Sequence, residues 1–173
     1  MKRKVRSKSR AARWRGYAIE ALVFVILIAG LRAWQQRDMV SGSAPALQGV
    51  TLAGAPYELP AHPGKPVLVH FWAMWCGICL ADQDSISSVV HAYPGSITIA
   101  MQSGPADELA RYARKQHIDF PVLNDPNGVM AQRWGVNAVP ASFIISPDGT
   151  VRFITVGYTT NIGLRLRMWL AGL

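Results

Sequence analysis

The sequence has 173 residues, half of them apolar, which suffices for one domain with a single hydrophobic core and a short additional segment. Its formal net charge is +8, but ten Lys or Arg and two acidic residues lie within residues 1–38, whereas residues 39–173 carry eight charges of each sign. The basic excess is confined to the N-terminal segment, and no basic patch with interleaved aromatic residues indicates nucleic-acid binding by the rest of the chain.

The N-terminal segment combines a basic tail with an apolar run. Eight basic residues and no acidic ones lie between Lys2 and Arg15, and residues 17–34 are mostly apolar. A helix of about 17 to 25 residues crosses a bilayer, and the positive-inside rule places its basic side in the cytoplasm. We therefore predict a cytoplasmic tail at residues 1–16 and a single transmembrane anchor at residues 17–34. In a bacterium the rest of the chain then lies in the periplasm, attached to the inner membrane.

A cleaved signal peptide is the alternative interpretation of this segment. Residues 41–43 and 44–46 contain small side chains that suit a cleavage site. Both lie well beyond Leu31, where the uninterrupted apolar run ends, and this distance favours an uncleaved anchor. A surface helix with a basic tail fits less well, because the apolar run has no polar face. The polar and small residues 35–46 are then expected to form a linker.

The remaining residues, 47–173, alternate between strand-like and helical segments. Residues 67–73 form a nearly continuous apolar, β-branched and aromatic run, typical of a strand covered on both faces. Residues 147–149, Pro-Asp-Gly, predict a hairpin turn. Strands are predicted at residues 49–52, 57–59, 67–73, 97–101, 121–123, 142–146 and 151–156, and helices at 76–91, 106–117, 127–134 and 160–170. This order predicts an α/β thioredoxin fold, with a central mixed sheet flanked by helices and an additional N-terminal β-hairpin.

The only two cysteines, Cys76 and Cys79, lie at the start of the predicted helix that follows the buried strand. Disulfide exchange needs a thiolate, and a helix N-terminus stabilises a thiolate through its unpaired backbone N–H groups. Cys79 lies one turn further along the same face, where it can attack a mixed disulfide formed by Cys76. We therefore predict a redox-active dithiol in which Cys76 is the nucleophile and Cys79 the resolving thiol.

Metal binding is the alternative use of the same two cysteines. The sequence contains no second Cys-x-x-Cys and no His-x-x-x-His pair, so a zinc site would need scattered histidines. Two thiolates alone suit Cu(I), a soft ion. We expect no metal and no other cofactor, and a copper-binding or copper-tolerance module remains the alternative from another class of function.

Two separated blocks of the sequence resemble a known family. The first block, residues 69–79, reads VHFWAMWCGIC, and the second, residues 135–149, reads GVNAVPASFIISPDG. Both are similar to the membrane-anchored thioredoxin-like proteins of the TlpA and DsbE group, and most of all to its disulfide oxidoreductases of the ScsD type. The resemblance extends over residues 47–173. It implies a periplasmic dithiol protein, usually a reductant.

The resemblance also assigns residues around the dithiol. Pro140 matches a proline that follows a cis peptide bond in this family, where the backbone of Val139 pairs with an extended substrate beside Cys76. Without the resemblance, an ordinary trans proline at the start of a strand would be expected. Trp75, Ile78 and Val139 are expected to form the surface that meets substrates and partner proteins.

Two further positions have more than one interpretation. Asp82 matches an acidic position, commonly Glu, that can influence thiol protonation, or it is a solvated carboxylate on a helix face. His70 departs from the family, since thioredoxin has a buried Asp there and the TlpA group often Asn. It is either a proton acceptor for Cys79 or a hydrogen-bonded core residue. Ile78 also departs, because many relatives have Pro there, so the resemblance does not define the redox potential.

Together these features predict a thiol:disulfide oxidoreductase that reduces or exchanges disulfides of other periplasmic proteins. The predicted span contains no cysteine, so the chain cannot carry electrons across the membrane by itself. We therefore expect recharging by a transmembrane thiol relay of the DsbD kind. A net disulfide oxidase or isomerase remains the alternative among enzymes.

Overall fold

The computed structural model describes residues 10–37 and 39–173 of the chain. The chain divides into two units, with the boundary between residues 37 and 38. The first unit contains one long helix, α1 (Arg10–Gln36), which begins within the predicted cytoplasmic tail and includes the predicted anchor. No helix in the described part of the chain has the length and hydropathy required to cross a membrane. The anchor at residues 17–34 therefore stays a prediction.

The second unit has the predicted α/β architecture. Its strands are β1 (Gly42–Ser43), β2 (Gln48–Val50), β3 (Pro56–Glu58), β4 (Val67–Trp72), β5 (Ile97–Met101), β6 (Val122–Asp125), β7 (Ala141–Ile145) and β8 (Thr150–Val156). Its helices are α2 (Gly77–Ala92), α3 (Ala106–Lys115), α4 (Val129–Arg133) and α5 (Asn161–Ala171). Every element predicted within residues 47–173 is present, with ends displaced by at most two residues.

Six strands form one mixed sheet in the order β1-β8-β7-β4-β5-β6. The strands β4, β5 and β6 run parallel, whereas β7 pairs antiparallel with both β4 and β8. The strands β2 and β3 form a separate antiparallel hairpin. The predicted parallel crossover, C-terminal hairpin and N-terminal hairpin are therefore confirmed.

The predicted linker at residues 35–46 is divided between the two units. Residues 35–36 belong to α1, whereas Met39 is buried in the core of the second unit. Strand β1 pairs with β8 through Gly42 and Ser43. Strand pairing uses backbone groups, so a two-residue edge strand needs no β-branched or aromatic side chains, and its small residues resemble a linker in sequence.

The centre of the sheet is held by an aromatic cluster. Phe71 on β4 and Phe143 on β7 have ring centroids 5.8 Å apart, and Trp134 lies 5.0 Å from Phe143 and 5.8 Å from Phe71. All three side chains are fully buried, and such aromatic pairs stabilise a core beyond the area that they bury. In the antiparallel register Phe71 faces Ala141. The carboxyl end of β4 therefore lies beside the start of β7.

Candidate active site

The two cysteines form a disulfide at the N-terminus of α2. Cys76 is the N-cap residue, in an extended conformation, and the Cys79 backbone N–H donates to Cys76 Sγ over 3.2 Å. The two Cα atoms are 5.4 Å apart, and each cysteine is only 7% exposed. In the reduced state the same backbone donors and the positive end of the helix favour the thiolate of Cys76.

A tight turn connects β4 to this helix. The Cys76 backbone N–H donates to the Ala73 carbonyl oxygen over 3.1 Å, and the Met74 N–H donates to Ser103 Oγ over 3.0 Å. Ser103 follows β5, so the turn is fixed to the neighbouring parallel strand. The strand, turn and helix predicted around the dithiol are therefore present, and Cys76 lies beyond the carboxyl end of the central strand β4.

The cis-proline predicted from the family resemblance lies next to the dithiol. The Val139–Pro140 peptide bond is cis, and the Val139 carbonyl oxygen lies 3.7 Å from Cys76 Sγ. The Pro140 carbonyl oxygen accepts from Gly157 N–H over 2.8 Å, which ties the segment to the end of β8. The register between β4 and β7 brings together residues that are 63 positions apart in the sequence. The substrate-binding role of Val139 and Pro140 stays a prediction.

Two large apolar side chains flank the buried disulfide. Trp75 is 62% exposed and Ile78 is 51% exposed, although both adjoin cysteines that are almost fully buried. Trp75 Nε1 donates to the Gln102 carbonyl oxygen over 3.1 Å, so the exposed indole has a defined position. An exposed aromatic ring and aliphatic side chain around a reactive pair can cover an extended chain while its sulfur meets Cys76.

Gln102 is a site residue that sequence reasoning missed. Its φ of 46° lies in the left-handed region, and its N–H donates to the Asp125 carbonyl oxygen over 2.8 Å. This conformation directs its carbonyl group to Trp75. Gln102 also lines an open polar groove of about 580 Å³ together with Gly128 and Gln132. Nothing in the sequence at this position signals a left-handed residue, because such positions favour Gly or Asn.

His70 is a buried residue beside the resolving cysteine. It is 2% exposed, and its Nδ1 lies 2.8 Å from Ser142 Oγ on the neighbouring strand. His70 and Cys79 line the same small cavity of about 10 Å³, close to the space that one water occupies. Burial lowers the pKa of His70 to about 3, so the imidazole is neutral at physiological pH. The hydrogen-bonded core interpretation fits this environment, and the low pKa does not favour the proton-acceptor role.

Asp82 is buried one turn after Cys79. Only 1% of it is exposed, and both carboxylate oxygens accept from the Thr159 N–H, over 3.0 and 3.3 Å. Burial raises the pKa of Asp82 to about 6, and the bond from Thr159 opposes part of this rise. The interpretation as a solvated carboxylate is therefore wrong. Asp82 joins α2 to the segment that precedes α5.

The described residues contain no cluster of side chains that could form a metal site. Within residues 10–37 and 39–173, no three His, Cys, Asp or Glu side chains are placed to hold one metal ion. His70, which lines a cavity together with Cys79, already bonds to Ser142. A metal at this site would rest on the two thiols alone, which is the Cu(I) arrangement considered from the sequence.

Comparisons with known proteins agree with this geometry. The AhpC/TSA family profile matches residues 40–154. A thioredoxin-like protein of Haemophilus influenzae is 29% identical over 84% of this chain and 87% of its own length. Thiol-disulfide oxidoreductase ResA of Bacillus cereus is 29% identical over 72% of this chain and 74% of its own.

A solved structure shows the same arrangement of strands and helices. The crystal structure of a secreted Mycobacterium tuberculosis disulfide oxidoreductase, homologous to E. coli DsbE, superposes with a TM-score of 0.61 and 30% identity. The match covers 72% of this chain and 95% of that one. The chain therefore belongs to the AhpC/TSA family, and with its Cys76–Cys79 pair at the start of α2 it is a thiol:disulfide oxidoreductase with a thioredoxin-like fold.

Proposed function

We propose that this oxidoreductase is tethered to the bacterial inner membrane and reduces or exchanges disulfides of other periplasmic proteins. We also propose that it is of the ScsD type. The observation that carries the proposal is the placement of Cys76 at a helix N-terminus, 3.7 Å from the carbonyl oxygen of Val139 in the cis Val139–Pro140 segment. This brings together a stabilised thiolate and a backbone segment that can pair with a substrate.

The reaction begins from the reduced dithiol. The Cys76 thiolate attacks one sulfur of the substrate disulfide, a mixed disulfide forms, and the first substrate thiolate leaves. The Cys79 thiolate then attacks Cys76 Sγ, which releases the second substrate thiolate and forms the Cys76–Cys79 disulfide. Two electrons pass from the dithiol to the substrate. The released thiolates take up protons, one of them supplied when Cys79 loses its proton.

His70 lies beside Cys79 but is a poor acceptor for its proton. The imidazole is neutral because burial lowers its pKa, and it shares a water-sized cavity with Cys79. An imidazole with a pKa near 3 is a much weaker base than a thiolate, so the Cys79 proton passes to solvent water and not to the ring. Asp82 lies one turn after Cys79 and keeps a raised pKa near 6, which suits a group that influences the charge around the dithiol.

The proposed tether is the apolar part of α1. The described large side chains there point into solvent; for example, Phe24 is 65% exposed and Leu27 is 64% exposed. A run of exposed apolar side chains is unfavourable in water and favourable in a bilayer. By the positive-inside rule, the basic residues that precede it favour a cytoplasmic N-terminus. The relative from Mycobacterium tuberculosis is described as secreted, which is compatible with a catalytic unit outside the cytoplasm.

The folded unit also supports an uncleaved tether. Cleavage before Ala44 or Leu47 would remove β1 and the buried Met39 from the compact unit. Carbonate extraction of membranes tests the tether, since the full chain should remain in the membrane fraction. A soluble species that begins near Ala44 or Leu47 would replace the tether with a cleaved signal peptide.

The direction of electron flow is tested by the reduction potential of the Cys76–Cys79 pair. A potential of about −270 mV, as in thioredoxin, supports a reductant, and a potential of about −120 mV, as in DsbA, supports an oxidant. Insulin-disulfide reduction by the protein, measured beside a Cu(I) titration, separates the enzyme from the copper-binding alternative. Tight Cu(I) binding without insulin reduction would favour the copper module.

The proposed electron donor is a transmembrane thiol relay of the DsbD kind. Two proteins held in one membrane meet at a high effective concentration, so a weak contact at Trp75, Ile78 and Val139 is sufficient. Acid quenching and alkylation of growing cells should find the Cys76–Cys79 pair mostly reduced, and oxidised when the relay is deleted. A pair that is oxidised in normal cells and unchanged without the relay would support the oxidase alternative.

A further inference from the structure

Helix α5 has an apolar stripe on its exposed side. Its buried side is formed by Leu164, Met168 and Ala171, which belong to the core. The stripe consists of four exposed residues on one face of α5 and a fifth just after its end. They are Ile162 (80% exposed), Leu166 (54%), Trp169 (59%), Leu170 (38%) and Leu173 (86%). The helix is therefore apolar on two sides, although only one of them contacts the protein.

The stripe concentrates the exposed apolar surface of the second unit. Eleven large apolar side chains in residues 39–173 are exposed, and five of them belong to this stripe. Two others, Trp75 and Ile78, flank the dithiol and are assigned to substrate contact. Contiguous exposed apolar surface of this kind marks a binding surface for a lipid or protein partner. The stripe has no role in the reaction described above.

Both charged residues of α5, Arg165 and Arg167, are basic. No acidic residue follows Asp148 in the sequence, whereas Arg152, Arg165 and Arg167 do. The exposed Arg165 donates to Asn161 on its own helix and to Ser88 on α2, and it borders the stripe. A helix with Trp and aliphatic residues on one face and Arg at its border has the composition of helices that lie in the interface of an anionic membrane.

The chain length places a membrane within reach, if the proposed tether holds. The proposed span ends at Trp34, and Met39 is already buried in the second unit. Residues 35–36 still belong to α1, so the connection is shorter than the roughly 18 Å that five fully extended peptide steps would cover. We propose that α5 lies on the bilayer surface, with Ile162, Leu166 and Trp169 inserted among the lipid headgroups. This proposal rests on the tether of the proposed function and adds a second membrane contact that orients the catalytic unit.

The test uses the full chain with both cysteines of the dithiol changed to serine and one new cysteine added for labelling. Leu166→Cys reports on the stripe, and Val129→Cys is the matched control, because Val129 is 47% exposed and lies on α4. Each variant carries an environment-sensitive fluorophore and is reconstituted in phosphatidylcholine and phosphatidylglycerol vesicles. Some vesicles contain a lipid with a nitroxide quencher near its headgroup. Thermal unfolding confirms that both labelled chains fold.

We expect the nitroxide lipid to quench the label at position 166 several-fold more than the label at position 129. Equal quenching at the two positions overturns the proposal. If the fluorophore at position 166 reports an apolar environment that depends on protein concentration, and the nitroxide lipid does not quench it, the proposal is also overturned. The stripe then contacts a second copy of the chain. Flotation of the same samples after carbonate treatment reports on the tether separately. A chain that floats but shows no difference in quenching keeps the tether and loses the docking of α5.

Discussion

The pH dependence of the free energy of unfolding should distinguish the contribution of His70 from that of Asp82, because burial shifts their pKa values in opposite directions. His70 has a pKa near 3 in the folded unit and 6.5 as its usual value. Between these values the unfolded chain binds a proton that folded His70 does not, so the stability contributed by the neutral imidazole is lost as the pH falls below 6.5. From pH 7 to pH 5 this loss is about 2 kcal/mol.

Asp82 acts with the opposite sign over the same interval. Its pKa is about 6 in the folded unit and 3.8 as its usual value, so the folded unit binds a proton that the unfolded chain does not. Protonation of Asp82 therefore adds stability as the pH falls below 6, by about 1.3 kcal/mol between pH 7 and pH 5. The two effects nearly cancel, and the wild-type unit should lose only about 0.6 kcal/mol.

Single substitutions should reveal each effect. The oxidised second unit, residues 38–173, is unfolded in urea at pH 5 and pH 7, with tryptophan fluorescence as the signal. His70→Asn should gain about 1.3 kcal/mol on acidification, and Asp82→Asn should lose about 2 kcal/mol. Each substitution also changes stability at both pH values, so only the difference between the two is diagnostic. A His70→Asn unit with the same pH dependence as the wild type would refute the assignment of this proton to His70.

Three further predictions concern the dithiol and the backbone. Cys79→Ala should accumulate a covalent complex with substrate through Cys76 on non-reducing gels, whereas Cys76→Ala should trap little; the reverse pattern would exchange the two roles. Pro140→Ala should lower the rate of insulin reduction while leaving the pKa of the Cys76 thiol, measured by the pH dependence of alkylation, nearly unchanged. A loss of rate that is fully explained by a shifted Cys76 pKa would argue against a substrate-binding role. Gly149→Ala should destabilise the second unit by more than Gly54→Ala in urea, because both glycines have φ near +80° but a Cβ at Gly149 meets the Ala61 carbonyl oxygen and one at Gly54 meets open space. Each should cost at least about 1 kcal/mol from the left-handed backbone alone, and equal losses would show that Ala61 moves away freely.

The strands and helices were predictable where side chains report directly on burial. Residues 97–101 begin with three β-branched residues, Ile97, Thr98 and Ile99, and β5 has these bounds. The position of Cys76 followed from a strand, a short turn and a helix in immediate succession. The nearness of Val139 to Cys76 and the cis bond both came from the family resemblance, since a proline before a strand is ordinarily trans.

The missed features depend on partners that are distant in sequence. The burial of Asp82 requires Thr159, which lies 77 residues later and bonds through its backbone, so no side-chain pattern indicates it. Strand β1 forms through the backbone of two small residues, and Gln102 adopts a conformation that its residue type rarely favours. Sequence patterns predict which residues are apolar or charged at each face, but they do not predict which backbone groups meet across the fold.

The coverage of both sheet edges by N-terminal residues bears on how this protein avoids aggregation. An open edge strand presents unpaired N–H and C=O groups that can recruit a second chain. Strand β1 covers the beginning of β8 at one edge, and at the other edge the Leu52 N–H donates to the Val122 carbonyl oxygen over 2.9 Å on β6. Residues that precede the dithiol and take no part in its chemistry thus protect the sheet from intermolecular strand pairing. A unit that lacked them would keep its active-site residues but expose two edges to neighbouring molecules.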